Sequence, residues 1–128
     1  ILRIKLRHLD SWNGRRRELA VRYNQAFAGL PLTLPVEVTG THVYHLYNLR
    51  SPKRDEISSY LKDKGIATGH YYPLPLHLQE VYRDLGYQEG SLPVAENACK
   101  TAFALPLYPE MTLQAQDYVI QSVREFFA

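Results

Sequence analysis

Apolar residues recur at three- to four-residue spacing from the first positions: Leu2, Leu6 and Leu9, then Leu19, Tyr23, Ala26 and Phe27. This is the period of a helix that buries one stripe. It predicts one long or bent helix over residues 1–28, weakened at Gly14 by up to ~1 kcal/mol and stopped by Gly29 ahead of Leu30-Pro31. The stretch LPLTLPVEVTG that follows predicts an extended linker or edge strand. Alternation then replaces the helical period in THVYHLYNLR, with Val43, His45, Tyr47 and Leu49 on one face and Tyr44, Leu46 and Asn48 on the other. That pattern predicts a strand with both faces partly covered.

Ser51-Pro52 suits a helix start, with Asp55 and Glu56 near the first turn and Ile57, Tyr60 and Leu61 as the buried stripe. Lys62, Lys64 and Gly65 supply its end, basic side chains near the last carbonyls and a glycine just beyond. IATGHYY predicts a short strand, whereas PLPLHLQ carries two prolines that remove ladder donors and so predicts a shaped loop holding His77. Short helices are expected over Leu78 to Leu85, ended by Gly86, and over Pro93 to Thr101 with Val94, Ala98 and Thr101 on one side. FALPLY predicts a last strand, and Thr112 caps a final helix whose Ala115, Tyr118, Val119, Ser122, Val123 and Phe126 face inward. The order of elements is that of an α/β domain with a long N-terminal helix and a small, mainly antiparallel sheet packed with helices. The long opening helix carries no start signal of its own, so the chain reads as the C-terminal piece of a longer protein.

Composition narrows the classes of function. The chain has 128 residues, 45% apolar and 22% charged, which suits one folded domain and excludes a disordered or fibrous chain. A net charge of +2 makes no strong field for nucleic acid. The single cysteine, Cys99, excludes an internal disulfide and any multi-cysteine metal site and is compatible with a reducing cytoplasm. No apolar run approaches the ~20 residues of a membrane-spanning helix, so no membrane partner is expected. Ten tyrosines and eight prolines point instead to stiff, shaped loops and to a ligand cleft or an interface.

No phosphate loop, nucleophile elbow, zinc-protease pair or calcium loop is present. His42 and His45 fall on opposite faces of a strand, and no acidic residue or cysteine lies between His70 and His77, so no metal site is expected. Arg15-Arg16-Arg17 is offset by Glu18 and Asp10 and reads as a solvated or intersubunit helix face. The stretch GIATGHYYPLPLHLQ stands out, because two adjacent phenols and two histidines are held by prolines with little entropy left to lose on binding.

The segments LRIKLRHLDSWNGRRRELAVRYNQAF, HVYHLYNLR and RDEISSYLKDKGIATGHYYPLPLHLQEVYRDLGYQEGSLPVAENACKTAFALPLYPEMT, in that order, resemble the C-terminal third of the pyridoxal-phosphate-dependent sugar aminotransferases of the DegT/DnrJ/EryC1/StrS family. The resemblance implies that residues 1–128 form the small C-terminal domain of a fold-type I aminotransferase, which closes one side of the active site of a cytoplasmic homodimer. It implies transfer of an amino group from glutamate to a nucleotide-linked keto-sugar, with the product entering lipopolysaccharide, other surface glycans or antibiotic sugars. It places the lysine that holds pyridoxal 5′-phosphate, and the other cofactor-binding groups, upstream of Ile1. Lys5, Lys53, Lys62, Lys64 and Lys100 do not occupy that lysine's position, so no catalytic or cofactor-binding residue is expected here and the chain alone should not transaminate.

Tyr71-Tyr72-Pro73 falls where many members carry His-Tyr-Pro and others Tyr-Tyr-Pro, and His77 matches the histidine of a Pro-Leu-His motif. The resemblance thus implies Tyr71, Tyr72 and His77 as substrate-binding residues, hydrogen-bonding to sugar hydroxyls or diphosphate oxygens. His70 stands where members usually carry a small or aliphatic residue. Two other readings share the same framework: a catalytically silent homologue acting as a binding or regulatory module, and a dehydratase that uses the same cofactor with histidine in place of its lysine.

Overall fold

The computed structural model describes residues 1–128. A five-residue helix α1 (Leu2–Leu6) leads into the long α2 (Leu9–Phe27). Strand β1 (Tyr47–Arg50), helix α3 (Arg54–Asp63), two 3-10 segments (Leu76–Leu78 and Glu80–Leu85), helix α4 (Pro93–Thr101), strand β2 (Ala102–Leu105) and helix α5 (Leu113–Phe126) follow. The α/β class and the small antiparallel sheet predicted from the pattern are both present.

β1 and β2 pair antiparallel, Tyr47 opposite Leu105 and Leu49 opposite Phe103. Single bridges widen the sheet on both sides, Thr33 to Arg50 and Gly69 to Ala104. Because side chains alternate across a strand, Tyr47, Leu49, Phe103 and Leu105 share one face. All four are buried in a single core with Leu19, Tyr23 and Phe27 of α2, Ile57 and Leu61 of α3, and Val119 and Val123 of α5.

Capping chemistry sets several boundaries. Ile66 N–H donates to Leu61 C=O at 2.8 Å and Gly65 N–H to Lys62 C=O at 2.9 Å, the paired bonds of a Schellman motif that only a residue at φ +74°, here Gly65, accommodates easily. Leu61 and Ile66 close it with the expected apolar contact inside the core. Thr112 Oγ1 accepts from Ala115 N–H at 3.1 Å, as its position predicts. The third helix begins at Arg54, two residues later than Pro52, because Ser51 Oγ takes up Lys53 N–H in a turn ahead of it.

Five expectations are corrected. The helix over residues 1–28 is two helices that part at Arg7-His8, not at Gly14, and Leu2, Leu6 and Leu9 are exposed, since the buried stripe starts only at Leu19. The strand over residues 41–50 is confined to Tyr47–Arg50, because Tyr44 sits at φ +47° and gives its N–H to His42 Nδ1 at 3.0 Å in place of a ladder partner. The strand over residues 66–72 is reduced to the Gly69 bridge. In α4, Val94 is 81% exposed and the buried residue is Glu96, while in α5 Gln116 is buried and Tyr118 turns out to donate its hydroxyl to Lys64 C=O.

Gln116 is inside because both ends of its amide are hydrogen-bonded. Nε2 donates to Leu19 C=O at 2.7 Å and Oε1 accepts from Arg22 at 3.2 Å, which fastens α5 to α2. Within the arginine cluster, Arg15 is paired to Glu18 and donates to Met111 C=O, and Arg16 donates to Asn13.

Candidate functional site

Residues 69–77 form a strap pinned at three points. At its start Gly69 exchanges both backbone bonds with Ala104 of β2, at 3.1 and 2.7 Å. One residue on, His70 Nε2 lies 3.0 Å from Ser58 Oγ of α3. At its end His77, 8% exposed, sits in the first 3-10 turn with Nε2 3.0 Å from Glu96 Oε1 of α4.

Between these anchors the strap presents its phenols outward. Tyr71 is 47% and Tyr72 is 72% exposed, with rings nearly perpendicular and centroids 6.0 Å apart. Pro73 and Pro75 stiffen the stretch that follows, as the sequence predicts. Tyr71 also walls a cleft of about 260 Å³ with His45, Thr68, Gly69 and Leu107 among its lining. The polar groups offered there are a phenol, an imidazole and a hydroxyl; no lysine or arginine lines it.

The three residues read from the sequence thus divide. Tyr71 and Tyr72 face solvent, and only Tyr71 reaches the cleft. His77 is turned inward, its ring packed edge-on against Tyr87 with centroids 6.0 Å apart. His70, whose role the sequence leaves open, is one of the strap's anchors.

Glu96 is the residue that sequence reasoning missed. Its carboxylate receives Gly90 N–H on both oxygens, at 3.0 and 2.9 Å, and Leu92 N–H at 3.1 Å, besides the bond to His77. The Gly90 bonds, then those from Leu92 and His77, hold the carboxyl below the ordinary glutamate range in spite of its burial. A helix face read from hydrophobicity alone sends an acid outward, so the apolar spacing of Val94, Ala98 and Thr101 was misleading. The available signal was Gly90, a flexible residue just before the helix with its N–H free to meet a carboxylate in the first turn.

Gly69 keeps room for the Tyr71 ring. A Cβ at this position would overlap Tyr71 Cε2 and fall 2.9 Å from its hydroxyl oxygen. The obstructed group is the far end of a side chain, so the ring should turn away while the backbone stays. Gly69→Ala is expected to move the urea midpoint by the equivalent of less than about 1 kcal/mol while displacing the Tyr71 ring resonances in an NMR spectrum. An unshifted Tyr71 ring would contradict the close packing.

The DegT/DnrJ/EryC1/StrS aminotransferase family matches residues 1–124. A protein of Geobacillus stearothermophilus named "Pleiotropic regulatory protein" is 49% identical over 99% of this chain and 35% of its own length. The dTDP-3-amino-3,4,6-trideoxy-alpha-D-glucose transaminase of Streptomyces venezuelae is 44% identical over 98% of this chain and 34% of its own length. The crystal structure of S. venezuelae DesV in complex with a ketimine intermediate superposes with a TM-score of 0.93 at 45% identity, over 98% of this chain and 34% of that one. The chain therefore spans about a third of the length of the relatives it matches.

Proposed function

The chain belongs to the DegT/DnrJ/EryC1/StrS aminotransferase family, and from that membership we propose that it is the small domain of a longer enzyme that moves an amino group from glutamate to a nucleotide-linked keto-sugar. The observation that carries this reading is the likeness, along 98% of the chain, to a family structure holding a ketimine intermediate, joined by the 44% identity to a sugar-nucleotide transaminase. The cofactor of this reading is pyridoxal 5′-phosphate, which supplies a carbonyl able to carry the amino group between the two substrates.

The residues present here do not suit that group by themselves. Its aldehyde needs a lysine and its phosphate needs cationic or backbone N–H donors. The cleft beside Tyr71 has neither a lysine nor an arginine. Lys64 and Lys100 are tied to Glu125 and Glu89, and Lys5, Lys53 and Lys62 are exposed. The reading therefore assigns cofactor holding to residues outside this chain and gives these 128 residues substrate contact and closure of the site. A homodimer working in the cytoplasm completes the proposal; no helix is long and apolar enough to cross a membrane.

Within it, Tyr71 and Tyr72 are substrate-side groups. A phenol can donate to a diphosphate or ring oxygen and accept from a sugar hydroxyl, and its flat ring buries area with few rotors to freeze. His77, bonded to Glu96, serves the same face by holding the strap from within.

The test uses the full-length protein loaded with pyridoxal phosphate. Glutamate is expected to abolish the visible absorption band of the bound cofactor, and a dTDP- or UDP-linked keto-sugar to restore it. A band indifferent to glutamate would sink the transaminase reading and favour a dehydratase, and no band at all a silent module.

A further inference from the structure

We propose that Glu96 is a positioning residue for sugar-nucleotide capture: through His77 it fixes the Tyr71-Tyr72 strap in the geometry that the substrate meets. The inference rests on the transaminase reading and adds to it a residue that touches no substrate. Glu96 is 6% exposed and lies on α4, well away from the phenols in sequence.

Its carboxylate gathers three segments at once. His77 ends the strap, Gly90 and Leu92 belong to the loop before α4, and Glu96 itself is carried by that helix. A buried carboxylate has acceptor sites for all of these donors and no proton to give, so it can satisfy an imidazole N–H and two backbone N–H groups together. Apolar packing adds little beside it: Pro75 is buried and Leu78 half-buried, but Leu74, Leu76, Val81 and Leu85 around the strap's end are all exposed. The end of the strap is therefore fixed chiefly by polar bonds converging on one side chain, whereas its start is fixed by the sheet at Gly69.

Consequences follow for ligand binding. Four residues separate Tyr72 from His77 and two of them are prolines, so displacement of His77 is transmitted to the phenols and not absorbed along the way. Loosening the strap makes its ordering part of the cost of binding the sugar nucleotide. Glutamate is handled in a separate half-reaction and has no sugar or diphosphate for the phenols to meet, so its step should depend less on the strap. Loss of Glu96 should thus divide the two half-reactions.

The experiment compares wild type, Glu96→Ala and the isosteric Glu96→Gln in the full-length protein loaded with pyridoxal phosphate. Glu96→Gln turns one acceptor oxygen into an N–H donor facing Gly90 N–H, so it breaks part of the cluster while keeping its volume. The readouts are the rate of the glutamate half-reaction, KM and kcat for the dTDP-linked 3-keto-4,6-dideoxyglucose, or for the keto-sugar that restores the band in wild type, and deuterium exchange in a peptide covering residues 69–78. For Glu96→Ala, KM for the sugar nucleotide is expected to rise at least about tenfold, exchange over 69–78 to accelerate, and the glutamate rate to stay within about twofold of wild type. Glu96→Gln should fall between, and it decides the matter if the alanine variant does not fold. An unchanged KM or unchanged exchange in a folded variant overturns the inference, as does a glutamate half-reaction that falls as far as the sugar half-reaction. A wild type with no glutamate response or no accepted keto-sugar removes the transaminase reading itself, and this inference with it.

Discussion

Phe103→Ala is expected to cost about 3–5 kcal/mol of folding stability, the range for removing a buried phenylalanine from a core that cannot fully collapse. Phe103 has no exposed surface, lies opposite Leu49 on the core face of the sheet and belongs to the same cluster as Ile57 and Leu61 of α3. The sheet has only two full strands, so each inward residue carries a large share of its attachment to the helices. A domain of ordinary size holds about 5–15 kcal/mol in all, and such a loss takes much of it. In urea the midpoint should fall by at least about 1 M. Phe103→Leu, which keeps most of the volume, should cost less than about 1.5 kcal/mol. Val94→Ala, at a position 81% exposed, should stay within about 0.5 kcal/mol of wild type. A Phe103→Ala midpoint close to that of Val94→Ala would mean that the sheet is not the floor of the core.

The parts of the fold that were legible in the sequence are those where a local rule and the tertiary environment agree. Pro93 to Thr101 is helical with its proline at the first position, and Thr112 caps α5 through its hydroxyl. Gly65 and Gly86 end their segments at positive φ, as glycine placement foretells. Strand extents were less legible because alternation states which residues could pair and not whether a partner is present. Val43 and His45 alternate correctly with Tyr47 and Leu49, yet the only bridges beyond the two strands reach Thr33 and Gly69. Leu2, Leu6 and Leu9 have helical spacing, but within these residues nothing packs on them.

The candidate site was half legible for the same reason. Adjacent phenols just ahead of two stiffening prolines announce a presented surface, and Tyr71 and Tyr72 are indeed outside. What holds them there depends on contacts distant in sequence: His77 to Glu96 across 19 positions and Gly69 to Ala104 across the sheet. An inward-facing acid breaks the hydrophobic pattern from which inward faces are read, and only its donors explain it. The same holds for Gln116, whose burial makes sense once Leu19 C=O and Arg22 are seen beside it.

Alkaline pH should unfold the chain through two phenols, Tyr23 and Tyr47. Neither has exposed surface, and their rings lie 4.9 Å apart at the centre of the core. Tyr23 donates its hydroxyl to Pro106 C=O at 2.9 Å and Tyr47 to Asn24 Oδ1 at 2.6 Å. Each bond needs the phenolic proton, and a phenolate here would face an acceptor oxygen without water. Burial, foremost, holds both groups well above the ordinary tyrosine value of 10.0, with the neighbouring Tyr108 adding to the effect on Tyr23, and Tyr44 then Tyr23 to that on Tyr47. The unfolded chain releases both protons near its ordinary value while the folded chain keeps them, so the folded state binds more protons and stability falls as pH rises. Below that value the two phenols leave stability unaffected by pH. Above it, two retained protons give a slope of up to about 2.7 kcal/mol per pH unit until the folded groups themselves ionise. Urea midpoints taken from about pH 9 to about pH 11 should bend downward near the middle of that range. Tyr47→Phe should halve the slope, at a cost near neutrality of about 1 kcal/mol because Asn24 Oδ1 loses its donor. A midpoint that stays level across the same range would show that both hydroxyls reach water in the folded chain, contrary to their place between α2 and the sheet.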